Sequence, residues 1–131
     1  MPNDYLQGSW QKERSFSPAV ITNRAGRIVW AAGHGGLFDE KHEMIKADFD
    51  RQVRQAFANV AATLKEAGAT LADIVSMTVH IGDARHGDRF VELRKEFFPD
   101  GRFPASTLIT VSGFAKPEMM VEITPVAVVD G

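Results

Sequence analysis

Phe49, Val53, Phe57, Val60 and Leu64 recur at intervals of three and four residues. That spacing is the apolar stripe of an amphipathic helix, and it interrupts a chain whose neighbouring apolar runs have the two-residue period of strands. Asp48 and Asp50 stand at its start, where the helix dipole favours negative charge, and Gly68 stands where a left-handed terminator belongs. The pattern predicts a helix over 48–67. A helix between two strands implies a crossover connection and parallel strands, so the fold is a layered α and β structure.

The flanking runs fill in the order. AVIT (19–22) and IVWAAG (28–33), separated by NRAGR with its Gly26, predict a hairpin. HGGLFDEKHEMIKA shows no period and reads as a loop. IVSMTVHI (74–81) is a strand, and Phe90, Leu93 or Arg94, and Phe97 mark one face of a second helix that ends before Pro99. Pro104 opens ASTLITVSG, and AKPE turns into a last strand, MMVEITPVAVV (119–129). Residues 1–17 are polar and mixed, and are expected to form a loose arm or a short edge strand. The order is β-β-α-β-α-β-β, an α+β single domain over 1–131 with a mixed sheet and two helices on one face. A single helical layer leaves the other sheet face to be buried by something else, and another subunit is the obvious cover.

Composition removes several function classes. There is no cysteine among the 131 residues, hence no disulfide, no thiolate nucleophile and no Cys-based zinc site. Fifteen Lys and Arg against 17 Asp and Glu give a net charge of −2, which argues against a nucleic-acid partner. No apolar run approaches the ~18 residues that span a bilayer, and the first fifteen residues carry no secretory h-region. A cytoplasmic protein without a membrane partner is expected. The histidines at 34, 42, 80 and 86 show no zinc-like spacing, so no metal site is expected.

One charged group is out of place. In the last strand Met119, Val121, Ile123 and Ala127 alternate to one face, and Met120, Glu122, Thr124 and Val126 to the other. Glu122 must face solvent, pair with a cation, or line a site. GHGG (33–36) ends a strand with three glycines around His34, and either turns the chain or brings backbone N–H groups close to a ligand. His80 alternates with Ser76 and Thr78 and reads as structural, and Ser106 and Thr107 are strand hydroxyls. No nucleophile triad is present. These groups alone do not identify a reaction.

The linear order of signals does more. QVRQAFANVAATLKEAGATLADIV, SMTVHIGD, FVELRKEFFPDGRFPAST and PEMMVEITPVAVV follow the strand ending AAGHGG. Together they make residues 18–129 resemble the RidA/YjgF (Rid) family. The resemblance implies a chorismate-mutase-like fold, a homotrimer with its sheets packed inward, and ligand clefts between adjacent subunits. It implies hydrolysis of reactive imines and enamines with release of ammonia, without a cofactor. By motif, the water-placing glutamate of typical members falls on Glu122, and Gly33 is retained. Their carboxylate-gripping arginine falls on Ser106, their cleft tyrosine on Ala19, and the serine before the strand-end glycine on Ala32. A serine cannot reproduce the charge-assisted fork of a guanidinium. Arg102, two positions before Pro104, is the candidate replacement.

The reading is therefore a Rid-like hydrolase or deaminase of a small imine, enamine or amide-type metabolite other than the usual 2-iminoalkanoates. Glu122 positions water, Gly33 and His34 with neighbouring backbone line the cleft, and Ser106 and Thr107 meet an uncharged part of a bulkier ligand. The alternative is a non-catalytic ligand-binding or chaperone-like trimer. A ribonuclease activity, also attached to this family, fits the acidic balance poorly.

Overall fold

The computed structural model describes residues 3–23 and 26–130. Strands β1 (Asn3–Tyr5), β2 (Val20–Thr22) and β3 (Arg27–Trp30) precede helix α1 (Phe49–Glu66). Strand β4 (Ile74–Ile81), helix α2 (Gly87–Arg94), β5 (Ala105–Thr110) and β6 (Val121–Val129) follow. The expected order is thus found with one more strand at the start.

The helix read from the apolar stripe begins and ends where its punctuation stands. The Asp48 side chain accepts a hydrogen bond from the Arg51 N–H at 3.1 Å, capping the first turn. At the far end Gly68 takes φ +77°, the Gly68 N–H donates to the Lys65 carbonyl, and the Ala69 N–H donates to the Leu64 carbonyl. That pair of bonds is a Schellman motif, and its left-handed residue favours glycine.

Four strands form one mixed sheet in the order β3-β6-β4-β5. β4 and β5 are parallel, joined through α2, whereas β6 runs antiparallel to both β3 and β4. β3 and β4, on either side of α1, are therefore parallel to each other with β6 inserted between them. The expected β2–β3 hairpin does not form. β2 pairs with β1, with Asn3 opposite Thr22, and β3 pairs with β6, with Ile28 opposite Val128. Pairing with the nine-residue β6 gives β3 a place beside the central strand, which the three-residue β2 cannot offer. Arg24 and Ala25 of the expected turn lie outside the described residues.

Both helices lie on one face of this sheet. Val53, Phe57, Val60 and Leu64 of α1 and Phe90 and Leu93 of α2 are buried with Met77, Val79, Ile81, Val121, Ile123 and Ala127. Each of these side chains larger than alanine contributes roughly 1.5–3 kcal/mol by leaving water. The opposite face carries Ser76, Thr78, His80, Glu122, Thr124 and Val126, together with Trp30, which is 76% exposed, and Ile28, 49% exposed. It is the face for which the sequence supplies no cover.

The N-terminal arm is not loose. Besides the β1 pairing, Ser15 and Ser17 are buried: Ser15 Oγ donates to the Val91 carbonyl at 2.8 Å and Ser17 Oγ to the Phe103 carbonyl at 2.6 Å. The Ser17 N–H donates to the Pro104 carbonyl, so the arm runs beside the start of edge strand β5.

Candidate functional site

Glu122 sits on β6 directly opposite His80 of β4. Its carboxylate folds over Gly33: a Cβ built on Gly33 would lie 2.7 Å from the Glu122 carboxyl carbon and 2.8 Å from Oε1. Glycine is thus what leaves room for the carboxylate at the end of β3. Glu122 is half-buried, and among the described residues it has neither an ion-pair partner nor a side-chain hydrogen bond. Of the three roles open to it, the structural salt bridge is gone. Beside it, His80 keeps a buried Nδ1 without a hydrogen-bond partner.

The loop that presents Gly33 is held by α1. His34 turns away from Glu122: its Nε2 lies 2.7 Å from Thr63 Oγ1, and its Nδ1 lies 2.7 Å from the Ala32 carbonyl oxygen. Its backbone exchanges two hydrogen bonds with Ile123, which extends the β3–β6 pairing by one bridge. Asn59 Nδ2 donates to the Gly35 carbonyl at 2.8 Å. A Cβ on Gly36 would come within 2.6 Å of the Ala56 nitrogen, so this residue is pressed onto the helix backbone. Gln52, wholly buried, ties two further segments: its Nε2 donates to the Ile45 and Glu118 carbonyls at 2.8 and 2.9 Å, and its Oε1 accepts from the Met120 N–H at 2.9 Å.

Ser106 belongs elsewhere in the chain. It stands opposite Met77 in the β4–β5 ladder, whereas Glu122 stands opposite His80. Met77 and His80 are three residues apart on one strand and point to opposite faces. Ser106 therefore projects into the helical layer and Glu122 onto the uncovered face. Thr107, next in the strand, shares the Glu122 face, aligned with Thr78 and Thr124. Ala32 is exposed beside Gly33, and Ala19 lies before β2, its carbonyl bonded by the Leu6 N–H. Arg102 is no replacement at Ser106, because its guanidinium lies over the Tyr5 ring, 4.7 Å from the centroid.

A different guanidinium reaches Ser106. Arg94, at the end of α2 and 1% exposed, donates from Nη1 to Ser106 Oγ at 2.7 Å. Its Nε donates to Ser15 Oγ at 3.1 Å and its Nη2 to the Arg14 carbonyl at 3.2 Å. The group also lies 5.1 Å from the Phe90 ring centroid, one helical turn back. Burial, with the nearby Arg14 charge, pushes the Arg94 guanidinium down to about 10, so it stays charged at neutral pH. The helical spacing puts Leu93 or Arg94 on the apolar helix face, and a cation at a core-facing position is the available signal. Among the described residues no three His, Asp or Glu side chains are grouped to hold a metal ion.

Comparison with known proteins agrees with this architecture. A RutC family protein of Pyrococcus abyssi is 30% identical over 112 residues, 86% of this chain and 84% of that one. A protein of Dermatophagoides farinae named 2-iminobutanoate/2-iminopropanoate deaminase is 28% identical over 115 residues, 88% of this chain and 86% of that one. The crystal structure of YyfB from Yersinia pestis, described as a conserved Rid family protein of unknown function, superposes with a TM-score of 0.87 at 24% identity. That superposition covers 98% of this chain and all of that one. With residues 9–129 matching the family described as Endoribonuclease L-PSP, the chain belongs to that family, the RidA/YjgF or Rid proteins.

Proposed function

We propose that this protein hydrolyses a carbon–nitrogen bond of a small imine, enamine or amide-type metabolite in the cytoplasm, releasing ammonia, in clefts between the subunits of a homotrimer. The observation that carries the reading is the unpaired Glu122 carboxylate, half-buried over Gly33 on the uncovered sheet face. A carboxylate held without a cation is free to accept a proton from water. For an imine, the oxygen of a Glu122-bound water adds to the C=N carbon while Glu122 takes one of its protons. Returning that proton to nitrogen gives the carbinolamine, and Glu122 then carries the hydroxyl proton to the same nitrogen, so that the C–N bond breaks as C=O forms and ammonia leaves. An enamine first takes a proton on carbon to become the imine. No step needs a cofactor or a change of oxidation state.

Since Ser106 and Glu122 face opposite sides of one sheet, a cleft using both takes Glu122 from one subunit and Ser106 from the next. The small residues at Ala19, Ala32 and Ser106 favour a ligand bulkier than the shortest iminoalkanoates. Ammonia release from a panel of imines, enamines and amides tests the reading. At least one class should be cleaved well above the buffer rate by wild type. A panel left untouched, under conditions where an arginine-bearing relative acts on 2-iminopropanoate, contradicts it.

The assembly is tested separately. Trp30 and Ile28 are too apolar to face water as a contiguous patch, and burying them between subunits stabilises a trimer. Light scattering should give a mass three times the 14.4 kDa of the chain, and Trp30→Asp should give monomer. A wild-type monomer at micromolar concentration sinks this part of the proposal.

A further inference from the structure

The uncovered sheet face carries hydroxyls and apolar side chains, with two exceptions that stand side by side. Among the described strand residues of the four-stranded sheet, the ionisable groups are Arg27, His80 and Glu122. Arg27 lies opposite Val129, which packs against the core on the helical side. His80 and Glu122 lie directly opposite each other across the β4–β6 ladder, and no other ionisable strand residue shares their face. Around His80 on that face are Thr78 of its own strand, Thr107 and Ile109 of β5, and Thr124 of β6. A histidine with only a structural role would pair with one of these hydroxyls. Among the described residues His80 makes no such bond, and its Nδ1 is shut in without a partner.

The shut-in Nδ1 decides how the ring is used. A buried N–H without an acceptor is costlier than a bare lone pair, so the ring proton belongs on Nε2. That makes Nε2–H a donor on the face where the Glu122 carboxylate offers only acceptors. Among the described residues no ion pair joins the two side chains. The Glu122 carboxylate instead leans the other way, over Gly33 at the end of β3. Side chains directly opposite in an antiparallel pair leave the sheet about 5 Å apart. With one of them leaning away, the gap becomes about twice the ~2.8 Å of a hydrogen bond, the width that a single water bridges.

We propose that His80 is a further catalytic residue, whose Nε2–H holds the attacking water jointly with the Glu122 carboxylate. The inference rests on the hydrolytic reading and adds the donor that Glu122 alone does not supply. The water oxygen accepts from His80 while one of its protons points to Glu122, which leaves a lone pair directed at the C=N carbon. After addition the same N–H stays bonded to that oxygen. When Glu122 takes the hydroxyl proton of the carbinolamine, the oxygen gains negative charge, and the His80 N–H stabilises it until the C–N bond breaks and C=O forms. The proton passes from Glu122 to nitrogen and leaves with ammonia, and His80 neither gains nor loses one.

Steady-state ammonia release from the substrate that wild type cleaves fastest tests the pair. His80→Leu fills similar space without a donor, and should lower kcat by about 10²-fold with KM within about twofold of wild type. His80→Gln returns an N–H near the position of Nε2, and should recover kcat to within about tenfold of wild type. The melting temperature of His80→Leu should be equal or higher, because the change removes a buried nitrogen that has no partner. Two-bond proton–nitrogen spectra of the intact protein should show the His80 ring protonated at Nε2, with its signals shifted in Glu122→Gln. A His80→Leu variant that turns over like wild type while Glu122→Gln is inactive overturns the proposal and leaves the hydrolytic reading standing. A ring protonated at Nδ1 does the same. Equal losses in the leucine and glutamine variants, or a lower melting temperature in both, make the residue structural. A wild type that cleaves nothing in the panel takes the proposal down together with the hydrolytic reading.

Discussion

Glu122→Gln should lower ammonia release by about 10²–10⁴-fold, the usual worth of a positioned general base, while leaving the fold intact. The amide has the shape of the carboxylate but cannot take a proton from water. Because no cation pairs with Glu122 among the described residues, the substitution leaves no buried charge unsatisfied, and stability should move by less than about 0.5 kcal/mol. Gly33→Ala approaches the same point from the other side. Its new methyl would meet the movable end of Glu122, 2.7 Å from the carboxyl carbon, and displace the carboxylate without touching the core. Turnover should fall in this variant too, with a near-normal melting temperature. A large loss of stability in Glu122→Gln with activity intact would make the residue structural.

Gln52→Ala should be strongly damaging to the fold. The side chain is wholly buried, and its amide satisfies the Ile45 and Glu118 carbonyls and the Met120 N–H. Removing it leaves backbone groups unpaired and opens a cavity beneath the loop that presents Gly33. The expected cost is about 3 kcal/mol, seen as a melting temperature lower by roughly 10 °C for a chain of this size. A Gln52→Ala melting temperature within two or three degrees of wild type, on the order of 0.5 kcal/mol, would mean that water replaces the amide.

The legible parts of the fold were those set by neighbours in sequence. The α1 stripe and its punctuation at Asp48 and Gly68 located the helix to within one residue, because capping and period are local properties. The alternation that put Glu122 opposite in sense to Val121 and Ile123 held for the same reason. The β2–β3 hairpin failed because strand choice depends on which partner offers more burial, and β6 is a hundred residues away. Ser15 and Ser17 gave no local sign of burial, since their acceptors are carbonyls of Val91 and Phe103.

The site was half legible. Glu122 and Gly33 are brought together, but Ser106 is turned to the other face, a fact fixed by the parallel register with β4 rather than by any motif. Arg94 was visible only as an ambiguity between Leu93 and Arg94 on one helix face. Both are buried, because the chain continues from α2 into a tighter turn at Lys95–Phe97 and the covering arm encloses the last helical residue.

The central claim is that one chain's Glu122 works with the next chain's Ser106. Mixed trimers refolded from equal amounts of Glu122→Gln and Ser106→Ala subunits test it most directly, using the substrate that wild type deaminates fastest. If the cleft is shared, random mixing restores an intact site at about a quarter of the interfaces, and ammonia release should rise to about a quarter of the wild-type rate. If each site lies within one chain, no mixed trimer contains an intact one, and the rate will stay at the mean of the two parent variants.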